Sequence, residues 1–217
     1  CDSTTLRPIY KNVLLRCENC GFVTTDLKLT ASEITEIYSS KYFNGEEYSN
    51  YVEDKKVHRR NFKKRLNRID RVIGENKIRK VLEIGCAHGF FGELITENKP
   101  EIDYQGFDVS QEAIVYARQE LKLNVTHEDF LTAAIENVPT DVFMWDVIEH
   151  LPNPEKYLQK ISGIIAPEGR LHITTGDIEQ IVPKIRKRKW RMIHPPTHLH
   201  YFSKKTLTRL LRNNGFE

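Results

Sequence analysis

The chain has 217 residues, 39% of them hydrophobic and 29% charged, and its formal net charge at pH 7 is +3. That length can form one well-buried α/β domain with a small appendage, and the modest charge does not by itself indicate binding to nucleic acid or to a membrane. No apolar run approaches the roughly 20 residues that cross a bilayer, and the first residues form no signal peptide, so we expect no membrane contact and a cytoplasmic location.

Three of the four cysteines lie near the start of the chain. Cys17 and Cys20 form a Cys-x-x-Cys pair followed by Gly21, and Cys1 precedes them. This spacing predicts part of a tetrahedral zinc site, and a cysteine three positions before Cys1 would complete a zinc ribbon. The alternatives are a disulfide, which is rare in the cytosol, and a redox pair, which would need a βαβ context. We therefore expect residues 1–30 to form a zinc-knuckle appendage.

Residues 31–75 are expected to form a helical extension. Residues 38–51 are aromatic and polar and are interrupted by Gly45, which predicts a short helix and a loop. Residues 53–73 predict an amphipathic helix, because apolar side chains recur at helical spacing. These side chains are Phe62, Leu66, Ile69 and Ile73.

The most informative stretch is a strand, a glycine turn and a helix. Residues 81–84 predict a buried strand, Gly85 and Gly89 bracket a tight turn, and residues 90–98 predict a helix. This is the opening unit of many nucleotide-binding α/β domains. A dinucleotide fingerprint would need glycine at positions 87 and 90, which are alanine and phenylalanine here, and no phosphate-loop lysine follows.

A second strand, at residues 104–108, ends in Asp108. Ser110 is a good N-cap for the helix predicted at residues 111–121. A carboxylate at the end of this strand can accept hydrogen bonds from both hydroxyl groups of an adenosine ribose, because its two oxygens match two adjacent hydroxyls. NAD-dependent enzymes use the same arrangement, so this feature alone does not decide the cofactor.

Strands and helices continue to alternate after this point. A strand is predicted within residues 140–151, a helix at 154–165, a strand at 169–174 and a helix at 204–213. Alternation of this kind predicts a mostly parallel sheet with helices on both faces, which is an α/β fold.

The run Glu83-x-Gly85-x-Ala87-x-Gly89 resembles motif I of the class I S-adenosylmethionine-dependent methyltransferases, in which position 87 is usually glycine. Asp108, residues 124–130 and the strand before Glu149-His150 follow in the order of that family. From about residue 38 onward the chain is similar to the small-molecule branch, whose members modify sugars and secondary metabolites.

The resemblance implies a Rossmann-like methyltransferase domain over residues 76–217, with S-adenosylmethionine as cofactor and S-adenosylhomocysteine as product. It implies a lid over the cofactor from the aromatic segment 38–51, whose alternative is a plain surface segment. It also implies a C-terminal antiparallel hairpin, which we expect to be missing because the chain stops at Glu217. The cofactor-binding residues that it implies are Glu83, Gly85, Cys86, Ala87, Gly89, Asp108, Val109, Asp129, Phe130 and Trp145.

Within that set the resemblance suggests separate roles. Asp108 would bind the ribose, Asp129 the adenine amino group, and Phe130 would lie against the adenine ring. Cys86 lies in the glycine turn, where packing is a simpler role for a thiol than ligation.

The cofactor carries an electrophilic methyl group, so a base is needed only for a poorly acidic hydroxyl or a protonated amine. His150, at the carboxyl end of the fourth strand of the domain, is the first candidate, and His198 is the second. The alternative for His150 is a histidine that only orients its loop.

Residues 185–191 form a basic run with one tryptophan, and residues 194–203 contain three histidines. The run suits an acceptor with phosphate or carboxylate groups, such as a nucleotide-linked sugar, a carrier-bound acid or RNA, although such runs are usually solvated surface. The sequence indicates neither the methylated atom nor the oligomeric state.

A runner-up function uses a metal. Asp146, Glu149, His150 and His198 approximate the Glu-x-x-Glu-His…His set with which small-RNA terminal 2′-O-methyltransferases bind a divalent cation. A non-catalytic cofactor-binding module is a further alternative, and a nicotinamide dehydrogenase is disfavoured by the missing fingerprint glycine.

Overall fold

The computed structural model describes most of the chain. The described residues are 5–11, 13–27, 29–30, 33, 36–37, 51–74, 79–135 and 137–217. The chain divides into two compact units. The first unit contains residues 1–30, 146–162 and 173–217, and the second contains residues 31–145 and 163–172.

The strands are numbered in chain order. They are β1 (Leu6–Ile9), β2 (Leu14–Cys17), β3 (Val23–Thr24), β4 (Lys80–Ile84), β5 (Asp103–Asp108), β6 (Val125–His127), β7 (Asp141–Trp145), β8 (Arg170–Thr174) and β9 (His200–Tyr201).

The helices with described bounds are numbered in the same way. They are α1 (Lys55–Ile73), α2 (Phe90–Asn98), α3 (Gln111–Gln119), α4 (Pro154–Ile164), α5 (Ile181–Arg186), a 3₁₀ helix (Lys187–Lys189) and α6 (Lys204–Asn213). None of these helices is both long and apolar enough to cross a membrane.

The larger sheet has the strand order β6-β5-β4-β7-β8. β4 pairs in parallel with both β5 and β7, and β5 pairs in parallel with β6. Every residue of β7 is buried, as expected for a parallel strand that is covered on both faces. The α/β class and the mostly parallel sheet are therefore confirmed, and the carboxyl ends of β4 and β5 lie next to each other.

Helices of the second unit pack on this sheet through an apolar core. Leu66 of α1 and Phe91 and Ile95 of α2 lie in one buried cluster with residues of β4, β5 and β7. Arg59 of α1 makes ion pairs with Glu93 and Glu97 of α2. The predicted amphipathic helix is thus confirmed, with its apolar side turned to the core.

Local sequence accounts for the start of two helices. Ser110 accepts a hydrogen bond from the Ala113 amide at 3.4 Å and caps α3, as predicted. Ser203 and Thr206 form a reciprocal capping box at the start of α6. α3 ends at Gln119 rather than at the predicted residue 121, and Lys122 then adopts a positive φ of 55° as the chain turns toward β6.

The smaller sheet lies in the first unit and has the order β1-β2-β3-β9. All of its pairs are antiparallel, and β9 joins through the partners Val23 with Tyr201 and Thr24 with His200. Leu14, Val23 and Tyr201 bury their side chains in one cluster with Ile178. The histidine-rich segment 194–203 therefore contains a two-residue strand, which the sequence did not predict.

The paired cysteines lie where β2 turns into β3. Cys17 ends β2, its amide donates to the Phe22 carbonyl at 2.8 Å, and Gly21 returns its amide to the Cys17 carbonyl at 2.9 Å. Cys17, Cys20 and Cys86 form no disulfide. Cys1 lies outside the described residues, as does the predicted lid apart from residue 51, so the zinc site of Cys1, Cys17 and Cys20 stays a prediction.

Candidate functional site

The turn after β4 has the backbone that its glycines predict. Gly85, Ala87 and Gly89 have φ values of 74°, 46° and 77°. The amides of Gly85 and Cys86 donate to the Phe107 carbonyl at 2.8 and 3.1 Å, so the turn is tied to the end of β5. Position 87 thus has a left-handed conformation that favours glycine, which explains the usual residue of motif I and gives Ala87 a modest strain.

Position 89 needs glycine not only for its positive φ but also because a side chain would not fit there. A Cβ atom at this position would lie 2.6 Å from Leu123 Cδ1 and 3.0 Å from Ala117 Cβ. Ala117 of α3 and Leu123, which follows that helix, therefore leave no room for a side chain at position 89. Gly89 keeps α2 close to them, and the turn between β4 and α2 keeps its shape.

Asp108 is the polar centre of this edge of the sheet. Its Oδ2 accepts from the Ala87 amide and its Oδ1 from the Ser110 amide, both at 2.8 Å. Burial raises the pKa of this carboxyl group, and the two amides oppose that shift. A carboxylate has roughly four lone-pair directions, so about two remain for hydroxyl groups of a ligand.

Glu83, predicted to bind the cofactor, is buried inside the protein. Its side chain is 2% exposed and accepts a hydrogen bond from the Tyr104 hydroxyl at 2.5 Å. Burial raises the pKa of Glu83 to about 8, although the Tyr104 hydroxyl opposes the shift. The carboxyl group therefore lies within the protein, bonded to the neighbouring strand, and its contact with a cofactor stays a prediction.

The segment after β6 has a short turn at Asp129. Its Oδ1 accepts from the Leu131 amide at 2.9 Å. Phe130 is 2% exposed and makes an edge contact with Phe107, with ring centroids 6.2 Å apart. The Val109 carbonyl lies 3.0 Å from Nε2 of His127. Val109, Asp129 and Phe130 therefore follow the carboxyl ends of β5 and β6, as the parallel sheet requires.

Trp145 lies in the core cluster at the end of β7. Its ring is 8% exposed and contacts Phe91 and Phe143, with centroids 5.2 and 5.3 Å away. The Arg65 guanidinium of α1 lies 5.3 Å from the centroid of the indole. These contacts describe a packing residue, and the predicted contact with a cofactor stays untested.

An aromatic stack beside motif I was missed in the sequence. The Tyr51 ring stacks with those of His58, His88 and Phe90, at centroid distances of 4.1, 5.1 and 5.4 Å. Tyr116 of α3 meets the His88 ring edge-on at 5.3 Å. Burial lowers the pKa of His88 to about 4, so its ring is neutral at physiological pH. His88 lies within motif I and Tyr51 ends the aromatic segment 38–51, but neither position indicated that the two rings stack.

The histidines predicted for catalysis lie together in the first unit. The rings of His150 and His198 meet edge-on with centroids 4.6 Å apart. Nδ1 of His150 lies 2.8 Å from the Thr197 carbonyl, and Nδ1 of His198 lies 2.7 Å from the Met192 carbonyl. Burial, followed by the neighbouring His198, lowers the pKa of His150 to about 3.

Two acidic residues of the metal alternative differ in their surroundings. Glu149 is 2% exposed and shares a cluster with His150 and His198. Asp146 is exposed, and its Oδ1 accepts from the Thr174 hydroxyl at 2.9 Å. The structure thus brings three of the four predicted residues into one group.

Comparison with known proteins agrees with this fold. Residues 53–217 match the family model described as a methyltransferase domain. The ubiquinone biosynthesis O-methyltransferase of Azoarcus sp. (strain BH72) is 28% identical over 152 residues, which are 64% of each chain. The trans-aconitate 2-methyltransferase of Rhodopseudomonas palustris (strain BisA53) is 31% identical over 100 residues, which are 46% of this chain and 39% of that one. The matched part of the chain thus covers less than two thirds of the length of each of these relatives.

Solved structures share the fold at low identity. The plantazolicin methyltransferase in complex with S-adenosylhomocysteine has a TM-score of 0.62 and 17% identity, over 85% of this chain and 77% of that one. A methyltransferase from Archaeoglobus fulgidus that depends on S-adenosylmethionine has a TM-score of 0.59 and 24% identity, over 77% and 74%. The family match covers most of the chain and the fold agrees with it, so the chain belongs to the methyltransferase-domain family, the class I S-adenosylmethionine-dependent methyltransferases.

Proposed function

We propose that the protein transfers the methyl group of S-adenosylmethionine to an oxygen atom of a small molecule. The observation that carries this proposal is the Asp108 carboxylate, which is held by the Ala87 and Ser110 amides at the end of β5. The two amides occupy about half of the hydrogen bonds that this carboxylate can accept. Two adjacent ribose hydroxyls can donate the others.

The residues at this edge fit the nucleoside of the cofactor. Gly85 carries no side chain, so the backbone of the turn can approach a ligand at the carboxyl end of β4, whereas the space beside Gly89 is taken by Leu123 and Ala117. The Asp108 carboxylate lies beside that turn, bonded to its Ala87 amide. We expect Asp129 to bind the adenine amino group and Phe130 to support the ring from its place in the core.

When bound, S-adenosylmethionine supplies an electrophilic methyl group on sulfur and leaves as S-adenosylhomocysteine after the carbon–sulfur bond breaks. The residues of this chain need to bind and orient it, since in-line displacement depends mainly on alignment. Asp108 positions the ribose, and the glycine turn sets the path of the chain around it.

The proton of the acceptor hydroxyl needs a recipient, and His150 is the predicted base. At a pKa of about 3 its ring is unprotonated at neutral pH and therefore able to accept a proton, but it is a weak base. A weak base cannot readily remove the proton of an alcohol. The low pKa of His150 therefore favours an acceptor that is already acidic, such as a carboxylate or an acidic hydroxyl group.

The acceptor class is proposed from charge and from the relatives. Arg186, Lys187, Arg188 and Lys189 are exposed on α5 and the 3₁₀ helix. Such a run attracts anions. The two relatives are named for ubiquinone biosynthesis and for trans-aconitate. We therefore propose a small, negatively charged or acidic acceptor that is methylated on oxygen.

Binding of S-adenosylhomocysteine by titration calorimetry tests the cofactor site. Asp108→Ala removes both hydrogen bonds to the ribose, each worth about 1.5–3 kcal/mol when the acceptor is charged, so we expect the Kd to rise at least about a hundredfold. Asp103→Asn changes an exposed carboxylate at the other end of the same strand and should leave the Kd unchanged. An unaltered Kd in Asp108→Ala would refute the ribose role.

Methyl transfer is tested with labelled cofactor and a metabolite extract, with and without ribonuclease. The proposal predicts label in a small product that resists ribonuclease and is lost after mild base if the product is an ester. Label that disappears with ribonuclease would instead support the RNA alternative. Tight cofactor binding with no transfer across the extract would favour the non-catalytic module.

A further inference from the structure

The short helix α5 carries large apolar side chains on the outside of the first unit. Ile181, Val182 and Ile185 are 73%, 53% and 75% exposed. Ile181 and Ile185 are one helical turn apart, so their side chains lie on the same side of α5. A single apolar residue on a surface is ordinary, but several large ones side by side indicate a place that contacts another molecule.

Basic side chains surround these apolar residues. Residues 181–191, which we call the 181–191 surface, contain six basic side chains and no acidic one, and all six are exposed. They are Lys184, Arg186, Lys187, Arg188, Lys189 and Arg191. Among the described residues none of the six forms an ion pair, although Asp177 and Glu179 come shortly before α5. The complementary partner is therefore anionic.

The protein core anchors this segment on both sides. The Ile178 amide donates to the Phe202 carbonyl at 2.9 Å, and the Ile178 side chain is buried beside the smaller sheet. Trp190 packs on the same cluster, and a Cβ atom at Gly176 would lie only 3.0 Å from its indole ring. Pro183 is buried within α5 itself. The apolar side chains are thus exposed on an element that is packed against the unit.

Charge and apolar content together indicate which kind of partner fits. Pairing with a second copy of this chain would bring two positive surfaces together, which repulsion opposes. A single-stranded nucleic acid stacks its bases on aromatic rings, whereas the exposed apolar residues here are aliphatic and Trp190 packs on the core. The interface of an anionic bilayer accepts aliphatic side chains among its acyl chains and basic side chains beside its phosphates.

We propose that the 181–191 surface binds an anionic lipid bilayer as a peripheral contact. Ile181 and Ile185 enter the outer part of the acyl region, and the six basic side chains lie at the level of the lipid phosphates. This differs from the expectation of no membrane contact, which rested on the lack of an apolar run long enough to cross a bilayer. Contact at one surface needs no such run.

The proposal concerns one surface of the first unit and does not depend on methyl transfer. The ribose role of Asp108, in the second unit, is tested separately by the Kd for S-adenosylhomocysteine. A protein that binds vesicles but not S-adenosylhomocysteine would therefore support this proposal and refute the cofactor site.

Sedimentation with lipid vesicles tests the contact. At physiological salt the chain should bind vesicles of equal parts phosphatidylglycerol and phosphatidylcholine. Vesicles of phosphatidylcholine alone should bind at least about a hundredfold more weakly, because each basic side chain at an anionic surface adds about fivefold in affinity. Arg188→Gln, Lys189→Gln should weaken binding to the mixed vesicles about twentyfold. Ile185→Ser should weaken it about tenfold, because the side chain no longer leaves water.

Two control variants make the same kinds of change elsewhere. Val115→Ser alters an exposed aliphatic residue of α3, and Lys63→Gln, Lys64→Gln removes two exposed cations from α1. Each should change vesicle binding by less than about twofold, since charges away from the contact are screened by salt. Circular dichroism spectra show that the variants are folded.

Three results would overturn the proposal. The first is a folded protein that does not bind the mixed vesicles. The second is an equal loss of binding when the charges are removed from α1, which would mean that general positive charge is responsible. The third is vesicle binding that Ile185→Ser leaves unchanged. Binding of single-stranded RNA without binding of vesicles would assign the surface to nucleic acid instead.

Discussion

Glu83 and Asp108 are carboxyl groups on neighbouring strands, and their surroundings differ. Burial favours the neutral form of Glu83, and the one hydroxyl group that donates to it opposes this only in part. Burial raises the pKa of Asp108 as well, but two backbone amides donate to this carboxyl group and oppose the shift. Of the two acids, Asp108 is therefore the one suited to accept hydrogen bonds from a cofactor, while Glu83 connects β4 to Tyr104 of β5.

Glu83 should make stability depend on pH. Its folded pKa of about 8 lies above the ordinary value of 4.5, so the folded protein holds an extra proton between these values. The free energy of unfolding should therefore fall as pH rises from about 4.5 to 8, by at most about 5 kcal/mol. Glu83→Gln should remove this fall, whereas the exposed Glu101→Gln should keep it. Urea unfolding across this range measures it, and parallel curves for Glu83→Gln and the unmutated protein would contradict the assignment.

The sequence motifs predicted those site residues whose conformation or hydrogen bonds depend on neighbouring residues in the chain. Asp108, Ser110 and the glycines were predictable because a strand end, an N-cap and a positive φ each depend on near neighbours. The Tyr104–Glu83 hydrogen bond was not predictable, because it depends on the register of two strands. The stacking of Tyr51 on His88 was not predictable either, because it depends on the directions of side chains from distant segments.

At the scale of elements, β7 is joined to β8 by a polar network around Asp141. This residue is fully buried, and its Oδ1 lies 2.8 Å from Arg170 Nε and 2.9 Å from His172 Nε2. Burial by itself would raise the pKa of Asp141, but the hydrogen bonds from His172, Arg170 and Thr140 outweigh it and lower the pKa. The network thus holds an edge strand through side chains as well as backbone.

Asp141→Ala should destabilise the protein by about 2–3 kcal/mol. The value is at the low end for a broken buried ion pair because the Arg170 side chain is 31% exposed and water can solvate it. Asp103→Asn, an exposed change at the start of β5, should cost less than about 0.5 kcal/mol. Denaturant unfolding at neutral pH gives both values, and a loss below 1 kcal/mol in Asp141→Ala would show that the network contributes little.

Elements were predictable where their pattern is local. α2 has the bounds that its apolar spacing predicts, between Gly89 and the Lys99-Pro100 stop. β9 was not predictable, because it has two residues and pairs with Val23–Thr24, far away in the chain. No periodic pattern can exist in so short a strand, and a partner at that separation leaves no trace in the neighbouring residues.

At the scale of the whole molecule, each compact unit is built from segments that are far apart in the chain. Residues 1–30 fall in the same unit as residues 146–162 and 173–217, whereas the predicted boundaries, at 30 and 75, divide the chain consecutively. Every predicted cofactor-binding residue lies in the second unit, and the histidine cluster lies in the first. The two units can therefore be followed with separate probes, and the two tryptophans provide them: Trp145 belongs to the second unit and Trp190 to the first.

Trp190→Phe leaves Trp145 as the only fluorescent indole, so its emission reports on the unit that holds Asp108. S-adenosylhomocysteine at a hundredfold excess over its Kd should stabilise that unit by about 2.7 kcal/mol, because it binds only the folded form. For a chain of this length the midpoint of thermal unfolding should then rise by about 5–10 °C. Adding Asp108→Ala should cut the rise to below about 2 °C, because the same concentration then no longer exceeds the Kd, and NAD at that concentration should produce none. A rise of equal size with NAD would mean that the edge of the sheet recognises adenosine in general, and the assignment of the cofactor would fall.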